Sequence, residues 1–437
     1  MLTLVTAWLF GGATRFDVLA PLGATIIGLC AIGLFWVTRR DARMGALEKL
    51  AWISLFAIPL LQLVPLPPPI WKSLPTHTFP ERLFGQLGLD GWLSWSLTPS
   101  RTLSSLTGFV PALAVYLWSK GLSERHEIGL FVALAAFAGT SSLLGLLQIA
   151  GGPSTPLRLY EITNRDAAVG FFSNANHFGV TMAATLPLIV YLSLRLSHPV
   201  RRGGRLRLLA GFGIAALVTL GVLASLSRAA WLVGMGAWLL IGSHLIFASA
   251  WSNRRKFAVT GTALVILVAF FAWLGANGTL SKLAEADRVG ERTRLSFVPE
   301  FIAIARDTAP LGSGLGSFDA TYRAYEDPES MSAAYLNNAH NDLAQVAIEA
   351  GVPGLIAIAL WLSLIAHIFI LGLGSARRKG FASLAGLRWA SLVFGCLAIL
   401  AHSLIDYPLR GAAASAIFAL FLALLWPNSG EVNNDAR

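Results

Sequence analysis

The chain has 437 residues, of which 55% are hydrophobic and 13% are charged, and its mean hydropathy is +0.64. Soluble domains carry roughly 25% charged residues, so this composition excludes an ordinary soluble protein and predicts an all-α protein that crosses a membrane many times. The net charge of +10 would suggest nucleic-acid binding in a soluble protein, but here the basic residues cluster in short loops between apolar segments.

About twelve apolar segments divide the chain, and most have roughly the 20 residues that a helix needs to cross a bilayer. They fall at residues 1–13, 18–37, 46–64, 103–119, 128–150, 170–194, 208–226, 229–249, 257–275, 343–373, 388–405 and 411–426. The segment 343–373 is too long for one perpendicular helix. It is expected to tilt or break between Gly351 and Gly354, where Pro353 removes a backbone donor.

Five groups of basic residues lie in the loops between these segments. They are Arg39, Arg40 and Arg43; Lys120 and Arg125; Arg195, Arg201, Arg202, Arg205 and Arg207; Arg254, Arg255 and Lys256; and Arg377, Arg378 and Lys379. Alternating spans place all five groups on one side, which the positive-inside rule assigns to the cytoplasm. The predicted parts are an N-terminal transmembrane bundle (1–275), a periplasmic loop (276–342) and C-terminal transmembrane helices (343–437).

The periplasmic loop is expected to contain an amphipathic helix over Asp287–Asp307, with Leu295, Val298 and Ile302 on one buried face. A tight glycine-rich turn follows at Gly312–Gly316. The glycines resemble a phosphate loop, but no strand precedes them and no lysine follows, so nucleotide binding is not predicted.

The most informative stretch is the junction between this loop and the span at 343–373. His340 lies at the mouth of the helix, and Asn341, Gln345 and Glu349 follow on one face at i, i+4 spacing. Polar groups at such depth are costly and mark functional sites. A neutral imidazole can take a proton from a hydroxyl, so His340 is the candidate base. Glu349 is expected to be a buried counter-charge for an arginine.

Three arginines on the same side are candidates for binding an anion. Arg228 lies in a short turn between two spans, and Arg288 and Arg294 lie in the long loop. A planar guanidinium can donate two parallel hydrogen bonds to a phosphate. The alternative for Arg228 is a snorkelling side chain at a helix end, and the alternative for Arg288 is a solvated charge.

Two further polar places lie on that side. Asn174 and Asn176 begin a span and either cap its helix or hold sugar hydroxyls. Asp406 ends another span, and its structural interpretation is a pair with Arg410 or another arginine. The two cysteines and eight histidines show no metal-ligand spacing, so neither a metal site nor a cofactor is predicted.

An ordered set of motifs resembles the O-antigen ligase and polymerase superfamily, over most of the chain from about residue 50. The motifs are GFFSNANHF at 170–178, Ser227-Arg228, Arg294, the turn from Pro310 to Phe318, His340-Asn341, Glu349, Gly351, Pro353-Gly354 and HSLIDYP at 402–408. The chain departs from the family at Leu343-Ala344, where an aromatic residue followed by leucine is usual. That difference is expected to change packing more than chemistry.

The resemblance implies a GT-C-like membrane glycosyltransferase of the bacterial inner membrane. Such an enzyme takes glycan from an undecaprenyl-diphosphate carrier on the periplasmic face and transfers it, with inversion and without a metal, to an acceptor hydroxyl. Carried over by motif position, Arg228 and Arg294 would bind the diphosphate, and His340 would act as the base or assist it. The resemblance does not fix the acceptor, which is a glycan for a polymerase and lipid A-core for a ligase.

Two other classes of protein remain as alternatives. A lipid-linked oligosaccharide flippase or exporter would be expected to distribute charges along several helices, whereas the spans here are largely uncharged at mid-depth. A non-catalytic polysaccharide assembly subunit would have the same topology but no need for the arginine and histidine set.

Overall fold

The computed structural model describes residues 1–12, 19–39, 44–197, 203–259, 261–262, 288–289, 292–326 and 336–426, without the side chains of 19–21, 288–289 and 292–295. Within these ranges nearly all of the regular structure is helical, as the all-α prediction requires. Two short antiparallel strand pairs complete the regular structure.

The elements are labelled in chain order. The helices are α1 (Leu2–Phe10), α2 (Leu19–Thr38), α3 (Ala46–Gln62), α4 (Pro68–Trp71), α5 (Thr78–Leu87), α6 (Pro99–Ser119), α7 (Glu124–Ala150), α8 (Ala175–Leu196), α9 (Gly204–Ala224), α10 (Arg228–Ala248), α11 (Val298–Asp307), α12 (Phe318–Arg323), α13 (Asp342–Lys379), α14 (Leu384–His402) and α15 (Ala412–Leu424). The strands are β1 (Pro65–Leu66), β2 (Leu93–Ser94), β3 (Arg288–Val289) and β4 (Arg292–Thr293). Single 3₁₀ turns lie at Pro75–His77, Arg294–Phe297 and Pro408–Arg410, and residues 253–259 are also helical.

In the described part of the chain, seven helices are long and apolar enough to cross a membrane, namely α6, α7, α8, α9, α10, α13 and α14. The protein is therefore a multi-pass membrane protein. The predicted total of about twelve spans is not confirmed. With 9 residues in α1 and 13 in α15, neither helix reaches across a bilayer by itself. Most of the predicted segment 257–275 lies outside the described residues.

The helix α8 is the centre of the bundle, with α7, α9, α10 and α14 packed around it. Its residues from Ala175 to Ser193 are buried except for Asn176. Its small residues allow this close packing, because a Cβ atom on Gly179 would lie 2.5 Å from the Ser225 hydroxyl. A helix that is apolar on all sides is expected in the interior of such a bundle.

The two ends of the bundle differ in charge. The helices α6, α8, α10 and α13 begin at one end, which we call the site face. The five groups of basic residues from the loops, where the structure describes them, lie at the other end, which we call the basic face. Ion pairs join neighbouring helices there. The Arg388 guanidinium binds the Glu127 carboxylate through two nitrogens, and Lys120 Nζ lies 2.6 Å from Glu48 Oε1.

The helix α13 breaks at Gly351, which has φ 53° and ψ −142°. This confirms the expected break between Gly351 and Gly354. The break exists because another segment of the chain enters it: a Cβ atom on Gly351 would lie 2.1 Å from the Pro310 carbonyl oxygen. Val352 N donates to that carbonyl at 2.8 Å, and Pro353 has no N–H. The carbonyls of residues 348 and 349 therefore have no helical donors.

The Gly312–Gly316 turn supplies the missing donors. Ser313 N donates to the Ile348 carbonyl at 3.0 Å, and Gly314 N donates to the Glu349 carbonyl at 2.8 Å. Leu315 N donates to Gln62 Oε1 at 2.8 Å. These amides bind the protein itself, so they are not available to cradle a phosphate.

The loop helix differs from the prediction in its start and in its buried side. It begins at Val298 and not at Asp287, because the chain first forms the β3–β4 pair and a 3₁₀ turn. Val298 and Ile302, which were expected to be buried, are 38% and 48% exposed. The third expected residue, Leu295, has a side chain outside the described part.

Aromatic packing explains which side of α11 is buried. Phe301 is buried against Phe318, with ring centroids 5.6 Å apart, and Phe318 stacks on Tyr322 at the same distance. Ile304 lies one turn further on the same side and is also buried. The predicted buried side was wrong because aromatic packing against Phe318 and Tyr322 buries the other side of α11.

Candidate active site

The buried carboxylate of Asp406 lies at the site face, in the loop after α14. Its Oδ1 atom is 3.2 Å from His340 Nδ1 and 3.5 Å from His177 Nε2. Its Oδ2 atom is 3.8 Å from His402 Nε2. Asp406 is fully buried. Histidines from three separate elements therefore converge on one negative charge.

Further contacts fix this carboxylate in position. Asn176 Nδ2 donates to Oδ2 of Asp406, and Tyr407 N donates to its Oδ1, both at 3.0 Å. The Tyr407 ring packs between two imidazoles, with its centroid 4.9 Å from the ring of His177 and 5.2 Å from that of His340. These contacts hold the carboxylate and the two imidazole rings in fixed positions.

The protonation of Asp406 determines what His340 can do. Burial alone would raise the pKa of Asp406, but its contacts with His177 and His340 hold that pKa well below its ordinary value. An ionised carboxylate only accepts hydrogen bonds, so His340 Nδ1 must carry the proton of the contact. The Nε2 atom of a neutral His340 then has a lone pair that can accept a proton.

The backbone at His340 is strained. Its φ is 48°, and among the described residues the other non-glycine residue with a left-handed φ is Leu226, at 54°. Such conformations cost on the order of 1 kcal/mol or more and persist where the surroundings hold them. One of these two residues, His340, is itself a candidate site residue, and Leu226 lies two residues before the candidate Arg228.

The start of α13 is tied to the loop that contains Asp406. Asn341 caps the helix by accepting from Ala344 N at 2.9 Å, and its Nδ2 donates to the Leu404 carbonyl at 3.0 Å. Asp342 N donates to the Ser403 carbonyl at 2.8 Å. These bonds hold the two segments in register and thus place His340 against Asp406.

Gln345 and Glu349 form a buried polar ladder below His340. Gln345 accepts from Ala339 N at 3.0 Å and donates from Nε2 to Glu349 Oε1 at 3.0 Å. Arg410 Nη1 donates to Glu349 Oε2 at 3.1 Å. This contact confirms that Glu349 is a counter-charge for an arginine.

Arg410 was also considered as the partner of Asp406, and that interpretation needs correction. Its Nε donates to Asp342 Oδ1 at 3.0 Å, while its Nη1 binds Glu349. The positions beside Asp406 are taken by the imidazoles of His340, His177 and His402.

The two asparagines of the α8 start have separate roles. Asn174 caps the helix, since its Oδ1 accepts from Asn176 N at 2.8 Å and from His177 N at 3.4 Å. The Asn176 side chain instead donates to Asp406. Of the two alternatives, capping therefore applies to Asn174.

Arg228 is the first residue of α10 and is half-buried at the site face. Ser227 caps this helix by accepting from Ala230 N at 3.3 Å. The turn packs beside the start of α8, where a Cβ atom on Gly179 would lie 2.6 Å from Ala230 Cβ. Arg228 is thus on the same side of the membrane as His340.

The other two predicted anion ligands are described only by their backbone. Arg288 lies in β3 and Arg294 begins the 3₁₀ turn before α11. Their side chains lie outside the described part of the structure, so their candidacy remains a prediction.

Sequence reasoning missed several residues of the cluster. His177 and His402 were not singled out, and neither were Tyr407 and Asp342. Two signals were present: His402 and Asp406 are four residues apart at a helix end, and His177 directly follows Asn176. Because these segments are distant in sequence, the pattern alone did not show that they meet.

Residues 212–359 match the protein-family model described as O-antigen ligase. The matched range extends from α9 to just beyond the break in α13, so it includes Arg228, Arg294, His340 and Glu349. No curated protein matches the chain.

Proposed function

Since the chain belongs to the O-antigen ligase and polymerase superfamily, we propose that it transfers glycan from an undecaprenyl-diphosphate carrier to an acceptor hydroxyl at the site face. The family membership makes the chain a glycan-transferring enzyme, and the donor and the residue roles are our proposal. The observation that carries it is the 3.2 Å contact between His340 Nδ1 and the buried Asp406.

His340 is proposed as the general base. Its Nε2 takes the proton of the acceptor hydroxyl while the hydroxyl oxygen bonds to the anomeric carbon. The bond from that carbon to the diphosphate oxygen breaks, and undecaprenyl diphosphate leaves with the electron pair. Attack opposite the leaving group inverts the anomeric centre. The ionised Asp406 orients the imidazole and stabilises the imidazolium that forms, as in other base–carboxylate pairs.

Arg228 is proposed to bind the diphosphate, together with Arg294 and Arg288. It lies at the N-terminus of α10, where the helix dipole adds to its positive potential. The leaving diphosphate gains negative charge as the bond breaks, and fixed guanidinium groups stabilise that charge. In this role the arginines replace a divalent cation.

The site face is proposed to be periplasmic. The basic loops lie at the opposite end of the bundle, and such loops remain in the cytoplasm. A polyprenyl carrier in the outer leaflet of the inner membrane would present its diphosphate at this level, beside Arg228.

The base is tested by the substitution His340→Ala. Purified protein in vesicles, given a lipid-linked donor and an acceptor, should release carrier diphosphate at least about 10²-fold more slowly, because proton abstraction is lost. Its unfolding temperature should change little. His126, exposed at the basic-face start of α7, supplies the control, and His126→Ala should transfer at the normal rate. Near-normal transfer by His340→Ala would contradict the assignment.

The same assay separates the alternatives. A flippase would move the donor across the vesicle without releasing carrier diphosphate, and an assembly subunit would do neither. Supplying lipid A-core in one reaction and a second lipid-linked repeat in another distinguishes a ligase from a polymerase.

A further inference from the structure

The segment between α3 and α6, residues 63–98, carries an apolar stripe on its surface. Phe79, Leu83 and Leu87 follow each other at i, i+4 spacing along α5 and are 73%, 40% and 60% exposed. Trp92 comes shortly after the helix and is 66% exposed. Four large apolar side chains in one short segment are more than scattered surface residues.

The stripe is not needed for the fold of the segment, which has a core of its own. Trp71 is fully buried, donates from Nε1 to the Gly91 carbonyl at 2.9 Å, and packs edge-on against Phe84 with centroids 5.6 Å apart. Phe84 projects from a different side of α5 than the stripe. The stripe is therefore left for something outside the segment.

The helices on either side of this segment indicate what surrounds the stripe. The chain enters it from the end of α3, where Leu60 and Leu61 are exposed, and leaves it into α6, whose Leu103 is exposed one turn inside. Because α6 is a candidate membrane span, these residues mark the edge of the hydrocarbon. The segment that contains α5 is thus joined at both ends to helices with exposed apolar residues at the site face.

The segment also lies at the level of the candidate active site. Trp95 Nε1 donates to the Gly312 carbonyl at 3.1 Å, and Leu97 N donates to the Ser313 carbonyl at 2.9 Å. Both bonds reach the turn that fills the break in α13. The segment is therefore fixed to the site face.

We infer that α5 lies along the membrane surface at the site face, with Phe79, Leu83 and Leu87 buried at the boundary between headgroups and acyl chains. Amphipathic helices with aromatic and leucine residues on one side bind lipid in this way. The charges of residues 63–98 cancel, with Lys72 and Arg82 against Glu81 and Asp90. Insertion is therefore driven by apolar contact and does not require anionic lipid.

The inference is tested with a spin label at single cysteines in the full chain, after replacement of Cys30 and Cys396. In phosphatidylcholine vesicles, a label at Leu83→Cys should collide with oxygen and be shielded from a water-soluble nickel chelate. Glu81, exposed on another side of the same helix, gives the control, and a label at Glu81→Cys should show the reverse. Added phosphatidylglycerol should leave both profiles unchanged.

Three results would overturn the inference. Equal nickel access at both positions would mean that α5 stands in water. Shielding of position 83 from both reagents would mean that a protein surface, such as a second copy, covers the stripe. Shielding that appears with phosphatidylglycerol alone would show that charge drives the contact. The readout does not depend on glycan transfer, so this inference and the proposed function can be contradicted separately.

Discussion

At the residue scale, Asp406 fixes which nitrogen of His340 carries the proton. The carboxylate accepts the hydrogen bond of His340 Nδ1, and in the proposed reaction this leaves Nε2 for the acceptor hydroxyl. An amide in its place could present either oxygen or nitrogen to the ring, so the tautomer would no longer be fixed.

The substitution Asp406→Asn should therefore lower kcat for transfer by about 10²- to 10⁴-fold, with a smaller effect on KM for the donor. Initial rates with purified protein measure both constants. Asp319 offers the control, since it is also buried near the site face but binds Arg101 and Arg323. A variant Asp319→Asn with the same loss of kcat would show that the effect is general and does not come from His340.

Glu349 and Arg410 have a different role at the same scale, since they stabilise the fold below the base. Glu349 is fully buried, and removing one partner of such a pair leaves an uncompensated charge.

Each of Glu349→Ala and Arg410→Ala should lower stability by about 3–5 kcal/mol. The measurement is the thermal unfolding temperature in detergent. The double variant should lose less than the sum of the single losses, because the two residues are in contact. The exposed Glu81→Ala should be nearly neutral, and equal effects of Glu81→Ala and Glu349→Ala would exclude the structural role.

At the element scale, the break in α13 connects the loop to the membrane helix. The positive φ of Gly351 and its contact with Pro310 leave no room for a side chain. The Gly312–Gly316 turn then occupies the carbonyls that the break leaves without helical donors.

The substitution Gly351→Ala should lower stability by several kcal/mol, since backbone strain and a clash combine. Gly374 lies in the same helix with the nearest atom 3.8 Å from an added Cβ, so Gly374→Ala should be neutral or stabilising by up to about 1 kcal/mol. Thermal unfolding of both variants checks the pair. Similar losses in both would mean that α13 tolerates alanine poorly everywhere.

Some features of these elements could be predicted from the sequence, and others could not. The break in α13 could be predicted because Gly351 and Pro353 are local signals. The buried side of α11 could not, because it depends on Phe318 and Tyr322, which approach from another helix. The convergence of His177, His340 and His402 on Asp406 could not be predicted for the same reason, because the segments that contain them are distant in sequence.

At the scale of the whole molecule, the separation of the basic loops from the histidine cluster predicts how the protein is oriented in the membrane. The predicted topology places the basic face in the cytoplasm. Ser123, before α7, lies at the basic face, and Ser154, after α7, lies at the site face. Both are exposed.

In cells with a permeable outer membrane, a membrane-impermeant maleimide should label Ser154→Cys and leave Ser123→Cys unlabelled until the inner membrane is opened. Both variants are made after replacement of the two native cysteines. The reverse pattern would place the site in the cytoplasm and contradict the proposed periplasmic transfer.

The histidine cluster also limits how often the reaction can repeat. One carboxylate faces three imidazole rings, so its negative charge balances a single extra proton. Every glycan transferred by the proposed route leaves one proton on His340, and a second could not be accommodated at equal energy. Loss of that proton from His340 is therefore a required step of every cycle, and it must be complete before the next hydroxyl can be activated.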